Sequence, residues 1–459
     1  KDFYSLFAFF NNIDAAPETG GRPKNGLQSP TALLATAQQK KKRDEINDQL
    51  AKLEAELART KKASQAEKDP QKKKPLTEAE RKLNARKKDL EKQRGVLEQA
   101  MPRAMVMKER TEVRPTFIMK RGRYDDPGEE VTRNTPEFFP AMKKKGEIAS
   151  RSDLAEWFID RRNPLTARVA VNRFWQQFFG VGLVKTSEDL GTQGELPSHP
   201  ELLDYLTVSF IESGWNIKVL VKQIVMSKTY RQTSVAPPAE FRKDPENRLL
   251  ARGSRFRLDA EMIRDQILAT SGLLVRTMYG KSVKPPQPNG LWKAVTMIGE
   301  RFKADTGEAI YRRSLYTYWK RGMPPPQMTI LNAPIRDACI ARRERTNTPL
   351  QALLLLNESE YIKAARSLAQ EVIARNIKRK QQVELVYEIV TSKLPDKTEL
   401  AILSKLVEDL QKRYGENPAL AEEICRGITL KSAEEKARLA AWTMLVSAVY
   451  NLDITKTRE

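Results

Sequence analysis

The feature that most constrains the fold is a succession of helix start and stop signals that begins near residue 150. Apolar residues recur there at helical spacing, with prolines, glycines and short polar side chains where helices should begin and end. Glycine is scarce, with 21 residues in 459, which disfavours an all-β architecture rich in tight turns. The sequence therefore predicts a mainly α, multi-helical domain over residues 148–459. The predicted helices begin at Asn163-Pro164, Ser198-His199-Pro200, Asn216, Asp259 and Thr348-Pro349 (the last reaching about Glu371), and three or four more lie between about 382 and 449.

Residues 31–101 have a different composition. Between residues 40 and 94 there are 19 basic and 11 acidic residues and no aromatic residue. This stretch predicts an inserted antiparallel helical hairpin, a coiled-coil-like arm with one narrow apolar seam. It is either an arm that docks a partner or a polyanion, or a solvated insertion packed on itself, and the second interpretation is favoured. The predicted seam consists of Ile46, Leu50, Leu53 and Leu57, then, beyond Pro70 and Pro75, Leu76, Leu83, Leu90 and Leu97.

The segment before the hairpin, residues 1–30, begins with an aromatic-rich helical pattern that Gly20 and Gly21 interrupt. It is typical of the C-terminal end of a preceding domain. A free segment of this kind would expose several aromatic rings to water. We therefore expect Phe3, Phe7 and Phe10 to pack on a protein partner or on an upstream domain of a longer polypeptide.

The segment after the hairpin, residues 102–147, carries β-forming residues, prolines and glycine turns, which predict two or three short strands. Residues 125–130 hold four carboxylates; ordinary turn chemistry is favoured over a calcium site, because the spacing is not that of an EF-hand. One further strand is predicted at 314–319, within a proline-rich and irregular stretch over 275–335.

The chain is strongly basic. Lys and Arg number 81 and Asp and Glu number 59, giving a formal net charge of +22. A charge of this size attracts polyanions, which include nucleic acid, anionic lipid, acidic polysaccharide and acidic proteins. No apolar run reaches the roughly 18 residues of a membrane-spanning helix, so no transmembrane segment is predicted.

Histidine and cysteine are scarce, and this excludes several kinds of site. His199 is the single histidine, and Cys339 and Cys425 are the two cysteines. One disulfide between the cysteines is conceivable, but two buried thiols are favoured. A multi-histidine metal site, a four-cysteine zinc site and a disulfide framework are therefore excluded within this chain, and no metal site is predicted. No C-x-x-C-H motif occurs, which rules out a covalently attached c-type haem, and no cofactor is predicted within this chain.

Three groups of residues are candidates for chemistry. Glu261 and Asp265, four apart on one predicted helix face, could act as the acid and base of glycoside hydrolysis, although a salt-bridged network with nearby arginines is favoured. His199 could be a general base or a lone haem ligand, although a role at the start of its helix is favoured. The cluster Arg342, Arg343 and Arg345 precedes a predicted helix start and could bind an anion, although pairing with carboxylates or backbone carbonyls is favoured.

Seven motifs between residues 150 and 360 resemble, as a set, those of the planctomycete cytochrome-c-associated proteins. In that family, paired planctomycete domains of unknown function follow a planctomycete cytochrome c domain, and this chain resembles the end of the first paired domain and all of the second. The motifs are NPLTARVAVNRFW at 163–175, FGVGLV at 179–184, SHPELLD at 198–204, TYRQTS at 229–234, DPENRLL at 244–250, LDAEMIRD at 258–265 and TNTPLQAL at 346–353.

The resemblance implies an exported multidomain bacterial protein, periplasmic or at the cell surface, with any haem in an upstream domain. No catalytic residue can be carried over, because both paired domains are of unknown function. The family often has Phe-Asp-Ala-Pro where this chain has Leu331-Asn332-Ala333-Pro334. If that aspartate were catalytic, this copy would be impaired.

These observations favour a non-catalytic scaffold or interaction module of an exported, haem-associated assembly. They do not decide whether the chain is an enzyme, but they favour the interpretation that it is not. One alternative is a hydrolase or lyase acting on acidic polysaccharide through carboxylates such as Glu261 and Asp265. Another is polyanion or nucleic-acid binding, and the implied export argues against nucleic acid. Docking to a haem partner for electron transfer also stays open.

Overall fold

The computed structural model describes residues 1–14, 30–294 and 302–458, so the predicted break at Gly20 and Gly21 lies outside the described residues. The chain divides into two compact units, Lys1–Asn163 and Pro164–Glu459.

Helices predominate, and the strands of the described residues form only two-stranded antiparallel sheets, which confirms the predicted mainly α fold class. The predicted domain boundaries stay predictions. None of the described helices is both long and apolar enough to span a membrane.

The first unit combines the helical hairpin with two small sheets. Strands β1 and β2 pair at the base of the hairpin, with Leu33 opposite Arg103, and β3 pairs with β4, with Thr116 opposite Val131. Its elements are α1 Asp2–Phe7, β1 Thr31–Leu33, α2 Ala37–Ala66, α3 Pro70–Gln99, β2 Arg103–Met105, β3 Thr116–Met119, β4 Pro127–Val131 and α4 Arg151–Phe158.

Helices α2 and α3 form the predicted hairpin. Thr36 and Gln39 make a capping box at the start of α2, and Asp69 accepts a hydrogen bond from the Gln71 amide at the start of α3. Two contacts between the helices fix their antiparallel arrangement. Glu54 pairs with Lys87 at 2.7 Å, and nearer the base Arg94 donates to Asn47 at 3.2 Å. The seam that these helices share consists of the buried Ile46, Leu50, Leu53 and Leu90, with Leu83 and Leu97 packed against them.

The remainder of the first unit packs around Phe9, which is fully buried with Leu154 and Trp157 of α4. In the acidic turn at 125–130, Asp125 pairs with Arg123 at 2.9 Å and Asp126 lies 3.5 Å from Lys120. Within the described ranges, no group of three or more His, Cys, Asp and Glu side chains is arranged to hold a metal ion.

The second unit contains two apolar cores. One is built by α5, α6 and α7 around Val171, Leu203 and Leu220, and the other by α10 and the later helices around Leu368, Val407 and Trp442. Its elements are α5 Thr166–Phe179, α6 Pro200–Glu212, α7 Ile217–Met226, α8 Lys228–Arg231, α9 Pro238–Lys243, β5 Phe256–Arg257, α10 Ala260–Thr270, α11 Pro326–Ile330, α12 Pro349–Asn357, α13 Ser359–Ala374, α14 Arg379–Thr391, α15 Lys397–Glu416, α16 Pro418–Ile424, α17 Ala433–Tyr450, α18 Asp453–Lys456 and β6 Thr457–Arg458.

Two predicted helices differ from those observed. Helix α5 begins at Thr166 with Leu165 at the N-cap position, rather than at Asn163-Pro164. The helix predicted from Pro349 to about Glu371 is two helices, α12 and α13, because Glu358 adopts an extended backbone with φ −66° and ψ 126°. No proline or glycine occurs between residues 350 and 371, so the sequence contains no breaker that would have indicated this interruption.

The strand predicted at 314–319 is wrong. Residues Ser314–Tyr316 form a short 3-10 helix, and Thr317 makes only an isolated bridge to Val283. The backbone of this segment is bonded locally and to Val283, whose carbonyl accepts the Tyr318 amide at 2.7 Å, and Asp265 of α10 accepts the Ser314 amide. Strands also occur outside the two regions for which they were predicted, 102–147 and 314–319, because β1, β5 and β6 lie elsewhere.

Candidate functional site

Helix α10 carries a fully buried arginine that organises the surrounding loop. The Arg264 guanidinium binds Glu360 of α13 through two nitrogens, at 2.9 and 2.5 Å. It also donates to the carbonyls of Ile310 and Arg312 and to the Ser314 hydroxyl. Both charged side chains are almost completely excluded from solvent. Arg264 therefore ties the segment around residues 310–314 to the helical core.

The two candidate catalytic carboxylates on the same helix are in separate environments. Glu261 accepts a hydrogen bond from Arg343 Nη1 at 2.5 Å. Asp265 accepts from both the backbone amide and the hydroxyl of Ser314, at 2.8 and 2.7 Å. Each carboxylate is thus bound to a protein donor, in the type of network that the sequence analysis favoured over catalysis.

The single histidine lies at the start of α6. His199 occupies the N-cap position before Pro200, and its side chain makes no capping hydrogen bond. Its Nδ1 lies 3.1 Å from the Ser198 hydroxyl. In the described part of the chain, no carboxylate forms an ion pair with this imidazole, so it lacks the orienting acid of a catalytic triad.

The segment that carries the three candidate arginines is attached to the polar face of α5. Arg173 donates to the Ile340 carbonyl at 3.0 Å, and Gln176 donates to the Ala341 carbonyl at 3.3 Å. Gln176 also accepts a hydrogen bond from Ser187, so one side chain joins α5 to two loops. These contacts position Arg342, Arg343 and Arg345 between the C-terminal end of α5 and the start of α10, and not at the start of α12, which they precede in sequence.

A small depression, which we call the arginine pocket, lies between this segment, the end of α5 and the start of α10. It has a volume of about 90 Å³. Four cations line it and Asp259 supplies the only carboxylate among its described lining residues. The lining consists of Gln176, Gln177, Gly180, Val181, Lys185, Asp259, Arg342, Arg343 and Arg345.

Asp259 lies between two of these guanidinium groups. Its carboxylate is 3.7 Å from Arg343 Nε and 4.0 Å from Arg345 Nε. Burial would lower the pKa of Arg343, but the hydrogen bond to Glu261 and the charges of Glu261 and Asp259 outweigh it and raise that pKa. Burial lowers the pKa of Arg345, and the neighbouring Arg343 charge lowers it further. Arg345 is thus the less well compensated cation of the two.

Arg345 also ends helix α5. Its Nη1 donates to the Gly180 carbonyl at 2.9 Å, and its guanidinium lies 4.4 Å from the centre of the Phe256 ring. Gly180 has φ +82°, and a Cβ atom there would approach the Phe256 ring to 2.9 Å. By contrast, the outer cations of the pocket pair with surface carboxylates: the exposed Arg342 with Glu188 at 3.1 Å and the partly buried Lys185 with Glu246 at 2.8 Å.

Asn332, which stands where the family often has aspartate, has a structural role. Its backbone has φ +65°, a conformation that asparagine tolerates well. Its amide nitrogen donates to the Thr346 hydroxyl at 2.8 Å, and its amide oxygen accepts from Gln351 at 3.2 Å. The amide thus supplies the donor that an ionised carboxylate would lack.

A second pocket, which we call the proline pocket, lies in the irregular stretch to which the sequence analysis assigned no function. Its volume is about 120 Å³, and prolines 285, 286, 288, 325 and 326 form much of its wall. Glu358, at the break between α12 and α13, also lines it, and burial raises the pKa of this carboxyl. The proline clusters were the sequence signal, but the helix break that brings Glu358 to them was not predicted.

The cysteines do not form a cofactor site. Cys425 is a buried thiol, as expected, but Cys339 is exposed, which corrects that part of the expectation. Cys339 follows the proline-rich stretch in an irregular segment where apolar packing is sparse. Neither cysteine is followed by a C-x-x-C-H pattern, so these residues do not fit a covalently attached haem.

The fold and the site define a helical module whose motif residues mainly hold loops and helix ends. Residues 150–407, more than half of the chain, match the family described as a protein of unknown function (DUF1553), PSD1. The chain therefore belongs to that family, which agrees with the resemblance to a planctomycete-type domain of unknown function. The second compact unit continues beyond the match, because α17 packs in the same core as α13. No curated protein and no solved structure shows significant similarity to the chain.

Proposed function

We propose that this chain is a non-catalytic interaction module that binds a carboxylate-bearing partner at the arginine pocket. The observation that carries the proposal is the composition of that pocket, in which four cations surround one carboxylate. The Arg342 pair is exposed and the Lys185 pair is partly exposed, and ion pairs at the surface are worth only about 0–1 kcal/mol. A partner carboxylate can therefore replace Glu188 or Glu246 at small cost.

A non-catalytic role is further supported by the state of the candidate catalytic residues. Glu261 is bound to Arg343 and Asp265 to Ser314, so each carboxylate already serves to hold a neighbouring segment against α10. A hydrolase or lyase that acts on acidic polysaccharide is the alternative proposal, and it would use the same cationic pocket to hold its substrate.

The assembly to which the module belongs is proposed to be exported and associated with a c-type haem. Support comes from the seven motifs and from their resemblance to proteins that carry a cytochrome c domain. Any such haem would be held by an upstream domain or a partner, since the cysteines here do not fit it. Phe3, Phe7 and Phe10 are 71%, 43% and 45% exposed, and they are the proposed packing surface for that domain or partner.

The arginine pocket can be tested with two soluble polycarboxylates. Polygalacturonate and poly-L-glutamate are titrated into the chain by calorimetry at low and high salt. The pocket variant is Arg342→Gln/Lys185→Gln. The control is Arg379→Gln/Lys436→Gln, which removes an exposed arginine and a partly buried lysine from ion pairs with Glu408 and Glu422, and so matches Arg342 and Lys185 in exposure. Both variants therefore lose the same charge.

We expect the pocket variant to bind at least about threefold more weakly than the control variant, because it loses specific contacts as well as charge. Binding should weaken with salt in every case. If both variants lose affinity equally, the interaction reflects net charge alone and the proposal fails. Release of new reducing ends from polygalacturonate, abolished by Glu261→Gln, would instead support the enzymatic alternative.

A further inference from the structure

The proline pocket contains polar atoms that the protein leaves without partners. Gln287 Nε2, Thr317 Oγ1 and Gln327 Oε1 are buried and make no hydrogen bond with the described residues. Thr317 and Gln327 are only 7% and 6% exposed, and all three side chains line the pocket. Buried polar atoms are rarely left unpaired, because each loses its hydrogen bonds to water on folding. Three of these atoms line one small pocket, where the polar groups of a bound molecule can pair with all of them.

The walls of the pocket select an uncharged ligand. The lining contains one positively charged side chain, Lys284, and one acidic side chain, Glu358. The pocket therefore has no excess of one charge that would attract an anion or a cation. The Lys284 ammonium already lies 4.7 Å from the centre of the Tyr318 ring, a position that a cationic ligand would otherwise take. The remaining wall consists mainly of proline rings, the aliphatic side chains of Ile330 and Leu354 and the Phe302 ring, against which an apolar ring face can pack.

The size and polarity of the pocket restrict the ligand further. A volume of about 120 Å³ accommodates one small ring. The unpaired atoms comprise an amide donor on Gln287, an amide acceptor on Gln327, and the Thr317 hydroxyl, which does both. A ring with several hydroxyl groups, each of them donor and acceptor, and with C–H faces that pack on the proline rings, satisfies all these conditions.

We propose that the proline pocket is a binding site for one neutral pyranose residue of a sugar. This inference is independent of the arginine pocket, which shares no lining residue with it. Because a single ring makes few contacts, its affinity should be weak, in the millimolar range.

The test uses methyl glycopyranosides of neutral hexoses, with binding to the whole chain measured by saturation-transfer NMR and calorimetry. The variants are Thr317→Val and Gln327→Leu, which remove an unpaired polar atom and keep the approximate shape of the side chain. Such replacements should leave the melting temperature unchanged or raise it, because a buried unpaired group is removed. The control is Thr443→Val, at a buried threonine whose hydroxyl is already bonded to the Leu439 carbonyl.

We expect at least one methyl glycopyranoside to bind, and each pocket variant to weaken that binding about tenfold without loss of thermal stability. The control variant should bind as the wild type does. The proposal is overturned if no neutral glycoside binds, or if the pocket variants bind as tightly as the wild type. Preferential binding of N-acetylprolinamide or of methyl galacturonate would also overturn it, in favour of a peptide or a charged ligand. Failure of this test would not count against the proposal for the arginine pocket, and failure of the polycarboxylate test would not count against the proposal for the proline pocket.

Discussion

At the scale of single residues, most motif side chains in the second unit hold backbone in place. Asn172, which is almost fully buried, accepts the Val184 amide at 2.9 Å and donates to the Val184 carbonyl at 3.0 Å. Gly182 lies against this side chain, and a Cβ atom there would come within 2.6 Å of the Asn172 amide. Arg248 donates to the carbonyls of Gly182 and Leu183, at 2.8 and 2.9 Å. The motifs are thus distinctive because loops depend on their polar side chains.

Replacement of Arg264 should be among the costly changes in this unit. The variant Arg264→Met leaves the Glu360 carboxylate buried without a counter-charge, and we expect a loss of about 3–5 kcal/mol in the free energy of unfolding. Urea denaturation measures this loss. The double variant Arg264→Met/Glu360→Met should recover part of it, while Arg375→Met, at an exposed pair, should stay within about 0.5 kcal/mol of wild type. A cost below about 1 kcal/mol for the single variant would contradict a structural role for the pair.

Glu358 should make stability depend on pH. Burial raises the pKa of this carboxyl, so the folded state prefers its neutral form. In the unfolded chain the pKa of this carboxyl has the ordinary glutamate value, about 4.3. The free energy of unfolding therefore falls as pH rises from that value through the raised pKa of the folded state. We therefore expect Glu358→Gln to increase the melting temperature at neutral pH and to have little effect near pH 4. Glu371→Gln, at an exposed position on the same helix, is the control. An equal effect of Glu358→Gln at both pH values would refute this account.

At the scale of elements, the sequence predicted helices where local signals decide the structure. Asn216 accepts the Val219 amide at the start of α7, Thr348 accepts the Gln351 amide at the start of α12, and Pro200 begins α6, all at predicted positions. Asp259 stands at the predicted N-cap of α10, but its carboxylate faces Arg343 and Arg345 and makes no capping bond. A tertiary interaction therefore replaces the local one there.

The elements that were missed depend on distant partners. The 3-10 helix at Ser314–Tyr316 is held by Arg264 and Asp265, nearly fifty residues earlier in the chain. Strands β5 and β6 pair Phe256 with Arg458 across 200 residues of sequence, and each has only two residues. The arginine cluster was identified from its sequence, whereas the proline pocket required segments from 284 to 358 to meet. Hydrophobic periodicity carries no information on such contacts.

At the scale of the whole molecule, apolar cores are distributed unequally between the two units. The second unit has two cores with many fully buried side chains. The hairpin has a seam of four buried aliphatic residues and two partly buried ones, flanked by charged residues along both helices. Two 30-residue helices with so few apolar contacts depend strongly on each leucine of the seam.

The variant Leu83→Asp/Leu90→Asp tests this dependence. Two carboxylates in the seam should melt α2 and α3, because each replaces an aliphatic contact with a charge that must stay hydrated. Far-UV circular dichroism should show a loss of helix, and trypsin should cut the hairpin rapidly. The matched control, Ala85→Asp/Val96→Asp, adds the same charge at exposed positions of α3 and should leave the hairpin folded.

Tryptophan fluorescence then reports on the remainder of the chain, because the hairpin contains no aromatic residue and five of the six tryptophans lie in the second unit. We expect the fluorescence-detected unfolding midpoint of the seam variant to equal that of the control, since none of the hairpin leucines belongs to the cores around Val171 and Leu368. A midpoint lowered together with the loss of helix would mean that the hairpin is integral to the folding of the second unit. An unchanged midpoint with melted helices would establish that the second unit folds without it.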